Sequence, residues 1–165
     1  MSIVLIGMPS CGKSTVGVLL AKKLGYRFID TDLLIQEREG MLLHEIIGKY
    51  GNEGFLKIEN EVNASIKDER AVISTGGSAV YGAEAMENLS DIGIIVYIHI
   101  SFETMEKRLG DYKHRGIVMP EGYTLRDMYN ERKIMYTKYA NVVVVSDGDI
   151  STTLDNIMKE IRPNG

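Results

Sequence analysis

Short uninterrupted apolar runs alternate along the chain with longer stretches in which apolar positions recur every three or four residues. Ile3-Val4-Leu5-Ile6 is the first such run and ends at Gly7. A run of this kind fits a strand covered on both faces in a parallel sheet. Ser14 to Leu24 carries Val16, Leu19, Leu20 and Leu24 on one side and meets Gly25, which predicts a helix and its stop. Tyr26–Ile29 predicts a short strand ending at Asp30, and Leu33–Gln36 opens a second helix. Leu42–Tyr50 and Asn52–Ile66 read as two further helices, and Ala71–Thr75 as a third strand running into Gly76-Gly77. A short helix near Ala83–Leu89, a strongly β-like run at Ile94–Ile100 and a helix at Glu103–Leu109 come next. Asp111 to Gly122 is irregular; Thr124–Tyr139 predicts a long amphipathic helix, Val142–Val145 a last strand and Ile150–Ile161 a closing helix. Strand alternating with helix predicts an α/β fold, a parallel sheet between two helical layers joined by right-handed crossovers.

Composition narrows the class without changing that picture. The 165 residues are 44% hydrophobic and 25% charged with a net charge of -4, so the chain is not a disordered one. No repeat or linker divides it, and one domain spanning residues 1–165 is expected. The single cysteine excludes an internal disulfide framework and a cysteine-based zinc site. No apolar run approaches the roughly 20 residues of a membrane span. No cationic stretch precedes Ile3, so a signal peptide is not expected and the cytoplasm is. The acidic balance argues against nucleic acid as a partner, and nothing demands more than a monomer.

The strongest local signal is Gly7-Met8-Pro9-Ser10-Cys11-Gly12-Lys13-Ser14-Thr15, which fits G-x-x-x-x-G-K-[ST] between a strand and a helix. Gly7 and Gly12 let successive backbone N–H groups point inward, and these donors with the helix N-terminus hold a phosphate. Lys13 reaches the β- and γ-phosphates, and the Ser14 hydroxyl faces Mg²⁺. Cys11 inside the loop reads as a small space-filling residue. No N-K-x-D guanine-reading motif is present, which argues against a GTPase. Asp30-Thr31-Asp32 falls where the second strand ends, at the carboxyl edge of the sheet where ligands bind. One carboxylate there can orient the metal and the other can take a hydroxyl proton; a helix N-cap explains only one of the two. From Met105 to Lys138 eight lysines and arginines stand against five acids, a basic segment suited to anionic phosphates. Gly110, Gly116 and Gly122 suit it to a hinged loop that closes and expels water.

The order of motifs resembles that of the shikimate kinase family over almost the whole chain. The matching segments are Gly7–Thr15, Phe28-Ile29-Asp30-Thr31-Asp32, Phe55-Leu56-Lys57-Ile58-Glu59 and Thr75-Gly76-Gly77-Ser78. The basic loop ending in His114-Arg115 and Arg132-Lys133-Ile134-Met135-Tyr136 complete the set. The resemblance implies a P-loop, nucleoside-monophosphate-kinase-like fold with about five parallel strands. It also implies a substrate-binding helical segment at about 33–66 and a lid at about 109–123. The implied reaction is transfer of the ATP γ-phosphate, with Mg²⁺, to a hydroxyl of shikimate in aromatic amino-acid biosynthesis. For the nucleotide it implies Gly7, Ser10, Cys11, Gly12, Lys13, Ser14, Thr15, Arg108 and Arg115, with Arg108 along the adenine and Arg115 neutralising transition-state charge. For the metal it implies Ser14 and Asp30. For the acceptor it implies Asp32, Phe55, Gly76, Gly77, Ser78 and Arg132, with Asp32 also the base and Arg132 the carboxylate clamp. Three positions depart from the family pattern: Leu56 stands in place of an arginine that anchors the carboxylate, Ser78 in place of a third glycine, and Gly116 in place of a proline. Those departures leave open a kinase for another small hydroxylated acceptor, and a nucleotide-binding protein without turnover is the other alternative.

Overall fold

The computed structural model describes residues 1–111 and 116–162. Along the chain run β1 (Ser2–Ile6), α1 (Lys13–Leu24), β2 (Arg27–Asp30), α2 (Thr31–Glu39), α3 (Leu43–Ala64) and β3 (Ala71–Ser74). They are followed by α4 (Ala83–Ile92), β4 (Gly93–His99), α5 (Phe102–Leu109), α6 (Leu125–Tyr139), β5 (Val142–Val145) and α7 (Ile150–Ile161). The strands form one five-stranded sheet in the order β2-β3-β1-β4-β5, and every neighbouring pair is parallel. Central β1 and β3 are buried at every position, which is why their sequences are continuous rather than alternating apolar runs.

The elements match the expected order, with two local differences. The third and fourth predicted helices are both present as the two halves of α3, and they meet at Gly51, whose φ of 73° and ψ of 178° no helix accommodates. Helix α2 starts two residues early, at Thr31, because the Asp30 side chain caps it by accepting from the Asp32 N–H. A 3₁₀ turn at Ala79–Tyr81 is too short to leave a periodic signal. Two apolar clusters hold the fold. The larger joins the sheet to the helices on it, and the smaller packs Ile35, Ile46, Phe55, Ile58 and Val62 beneath Val118. Among the described residues, no helix is long and apolar enough to cross a membrane.

Candidate active site

Strand register sets the floor of the site. Leu5 on β1 and Asp30 on β2 both pair with Ser74 on β3, so three adjacent strands finish level. Each then releases chain at the same edge: the glycine-rich loop after β1, Asp30 and α2 after β2, and Thr75-Gly76-Gly77 after β3. A cavity of about 330 Å³ lies over these ends.

The glycine-rich loop wraps tightly. A Cβ on Gly7 would sit 2.6 Å from the Ile98 carbonyl oxygen, so only glycine lets the loop leave β1 against β4. Lys13 is buried, and its Nζ donates to the carbonyl oxygens of Gly7 at 2.7 Å and Met8 at 2.8 Å. The loop thus holds its own cation ready beneath the phosphate cradle. The Ser14 hydroxyl donates to Asp30 Oδ2 at 3.0 Å and lies 3.3 Å from the Ser74 hydroxyl. With one Asp30 oxygen capping α2 and the other on Ser14, Asp32 in the first turn of α2 is left to face the cavity. Burial pushes the Asp32 carboxyl up to about 6, the Asp30 charge adds to the rise, and Lys13 opposes it.

The opposite wall comes from α3, α6 and the chain after β3. A Cβ on Gly77 would lie 3.0 Å from Arg132 Nη1, so the guanidinium lies directly over this glycine. Arg132 is 2% exposed; its Nη2 donates to the Val118 carbonyl, and its Nε is buried without a partner at the cavity wall. Tyr136, one turn on along α6, donates to the Gly77 carbonyl and fixes the glycine pair from behind. Gly116, Ile117 and Val118 close the cavity from above.

A family model for shikimate kinase matches residues 9–162. The chain belongs to the shikimate kinase family. The shikimate kinase of Clostridium botulinum (strain Alaska E43 / Type E3) is 34% identical over 163 residues, covering 98% of each chain. That of Aquifex aeolicus is 34% identical over 165 residues, covering 99% of this chain and 98% of the relative. Among solved structures, the Acinetobacter baumannii shikimate kinase in complex with shikimate superposes with a TM-score of 0.87 at 31% identity, covering 97% of this chain and 92% of that one. The Aquifex aeolicus crystal structure superposes with a TM-score of 0.86 at 34% identity, covering 98% and 96%.

For a shikimate kinase family member, the residues read from sequence assemble closely. Ser10, Gly12, Lys13, Ser14 and Thr15 line one side of the cavity, and Asp32, Phe55, Gly76, Gly77, Ser78 and Arg132 line the rest. Gly7 and Cys11 do not line it; the Cys11 thiol is buried in the core against Gly7 and fills space, as its reading anticipated. Arg108 on α5 does not line it either, and its Nη2 reaches the Ser146 carbonyl at 3.4 Å. Arg115 lies outside the described residues. Leu56 lines a separate cavity with Tyr81, Pro120 and Glu131.

Glu59, which the sequence offers only as the end of the Phe55–Glu59 motif, stands in the wall and is 2% exposed. The Ser78 hydroxyl donates to its Oε1 at 2.6 Å. Burial pushes this carboxyl from 4.5 up to about 7; Ser78 opposes that shift, Asp32 adds to it, and Arg132 and Lys13 oppose it. The unfolded chain therefore loses this proton first as pH rises. The stability Glu59 contributes is fully present below its ordinary value of 4.5 and declines as pH climbs toward about 7. Melting temperatures of wild type and Glu59→Gln, measured across that range, are expected to diverge in favour of the variant as pH rises. A gap independent of pH contradicts the shift.

Proposed function

We propose that this chain transfers the γ-phosphate of ATP to a hydroxyl of shikimate. The observation that carries the reading is the placement of Asp32: a half-buried carboxyl with no capping duty, sharing one cavity with the Lys13 loop and with Arg132. In this reading the acceptor sits between Asp32 and Arg132. Its carboxylate takes the free Nε–H and the fork of Arg132, as a planar guanidinium allows. Gly76 and Gly77 admit the acceptor close to the backbone. Asp32 accepts the proton of the attacking hydroxyl as its oxygen bonds to the γ-phosphorus, and the bond to the β–γ bridging oxygen breaks to release ADP. A carboxyl lifted toward neutrality by burial suits that proton transfer. Lys13 neutralises charge on the transferring group, and Arg115 is assigned the same task.

Ser14 and Asp30 fit Mg²⁺, since they bring two hard oxygen donors within 3.0 Å of each other at the edge of the phosphate loop. Mg²⁺ usually takes one or two protein oxygens beside phosphate and water. Bound there it would neutralise phosphate charge.

The testing experiment is Mg²⁺-dependent ADP release across a panel of hydroxylated acids and uncharged polyols. Shikimate is expected to be the best acceptor. ADP release indifferent to every acceptor overturns the reading. Arg132 is the sole arginine lining the cavity among the described residues. Arg132→Lys, which replaces a fork by a point charge, is therefore expected to raise the KM for shikimate about ten- to a hundredfold. The KM for ATP should stay within a few-fold, and a shikimate KM equal to wild type contradicts the clamp.

A further inference from the structure

With one arginine lining the cavity among the described residues, the hold on an acid acceptor depends on how Arg132 is presented. Arg132 is 2% exposed, and no ion pair among the described residues includes it. A buried guanidinium without a counter-ion takes up a carboxylate within reach. One such carboxylate belongs to its own chain neighbour, Glu131. The two line different cavities: Arg132 the one over the strand ends, Glu131 the one beside Leu56. Tyr81, in the 3₁₀ turn that follows Gly76-Gly77, meets both. Its ring centroid lies 5.5 Å from the guanidinium carbon, and its hydroxyl donates to Glu131 Oε1 at 2.7 Å. Tyr123 donates to the other oxygen, Oε2, at 2.6 Å. Both Glu131 oxygens are thus engaged by tyrosines, at the short distances of charge-assisted hydrogen bonds.

We propose that Tyr81 is a positioning residue for acceptor specificity. It backs the Arg132 guanidinium with its ring and, together with Tyr123, holds the Glu131 carboxylate away from it. The arginine fork then stays open to the carboxylate of an acid acceptor. The proposal rests on the reading that this carboxylate meets Arg132. The hydroxyl of Tyr123, and after it that of Tyr81, holds the Glu131 carboxyl below its ordinary 4.5. Glu131 is therefore charged at neutral pH and competes for the fork once released. Glu59, the other carboxyl close to Arg132, is pushed toward its neutral form by burial, which leaves Glu131 as the charged competitor. The Val118 carbonyl fixes one corner of the guanidinium through Nη2, and the Tyr81 ring supports its face. A cation–π contact of that kind resists rotation of the fork while its N–H groups, lying in the guanidinium plane, stay free to donate.

The test removes the two hydroxyls and keeps the rings. Wild type, the double variant Tyr81→Phe/Tyr123→Phe, and that variant with Glu131→Gln added are assayed with two acceptors. One is shikimate; the other is an analogue whose carboxylate is replaced by a hydroxymethyl group. The double variant is expected to raise the shikimate KM about five- to tenfold. It should leave the ATP KM and the analogue KM within twofold. Adding Glu131→Gln, which removes the competing charge, should return the shikimate KM to within about twofold of wild type. A role confined to packing does not respond to that third exchange. Tyr81→Phe alone should move the shikimate KM the same way by about two- to threefold, again reversed by Glu131→Gln, and it carries the comparison if the double variant does not fold. A shikimate KM unchanged by loss of the hydroxyls, a rise that Glu131→Gln does not reverse, or an equal rise for the analogue overturns the proposal. Failure of the underlying reading shows elsewhere: Arg132→Lys itself would leave the shikimate KM at the wild-type value.

Discussion

Lys13→Met is expected to lower kcat/KM for phosphoryl transfer by about 10²–10³-fold, the usual cost of removing a preorganised charge from a developing anion. The side chain is buried beneath the loop, and its ammonium bridges the Gly7 and Met8 carbonyls. In that position it is aligned before any nucleotide arrives. Methionine fills much of the same volume without the charge, but it leaves the Gly7 carbonyl without its Lys13 donor, whereas the Met8 carbonyl keeps the Cys11 N–H. An unmet buried carbonyl costs about 1–3 kcal/mol, so the melting temperature should fall as well. Measuring transfer well below the variant's melting temperature separates the two effects. Transfer within tenfold of wild type under those conditions contradicts the role given to Lys13.

Asp32→Asn is expected to lower kcat by about 10²–10⁴-fold, the range general-base catalysis supplies. The substitution keeps the outline of the side chain and removes only its capacity to take a proton. Asp30 retains its two partners, the Asp32 N–H and the Ser14 hydroxyl, because neither depends on the Asp32 side chain. The KM for ATP should therefore stay near wild type. A kcat reduced less than tenfold would mean that the acceptor hydroxyl gives up its proton elsewhere.

The parts of the site that were legible in sequence are those tied to contiguous spacing. The loop from Gly7 to Thr15 and the pair at Asp30 and Asp32 declare themselves because each lies where a strand hands over to a helix. Spacing alone leaves the two aspartates equivalent, and it was the family resemblance that divided their roles, with Asp30 at the metal and Asp32 at the acceptor. The structure adds the cap and the Ser14 contact that occupy Asp30. Glu59 stayed obscure for a different reason. A single glutamate in an amphipathic helix reads as a solvated residue, and its hydrogen-bond partner Ser78 lies nineteen positions away along the chain. Arg132 resembles any surface arginine in its local context, although the structure buries it at 2% exposure over Gly77. The break at Gly51 was visible as a gap between two helical patterns, and two helical segments meet there.

Leu56 illustrates what a family pattern does and does not carry over. The departure from arginine was plain in the sequence, while its surroundings were not. The leucine packs into an apolar cavity bordered by Tyr81, Val118 and Pro120. Val118 also lines the active-site cavity, and Tyr81 lies beneath the guanidinium of Arg132 at 5.5 Å. The position that departs from the family is thus adjacent to Arg132 rather than remote from it.

Phosphorus NMR of purified protein with Mg²⁺-ATP, run with and without shikimate, tests the joining of a triphosphate seat to a hydroxyl-activating carboxylate most directly. With shikimate present, one new phosphomonoester resonance is expected to grow in step with ADP, and without it the ATP signals should persist. Formation of inorganic phosphate in place of the monoester, or an ATP spectrum unchanged in both samples, would contradict the account.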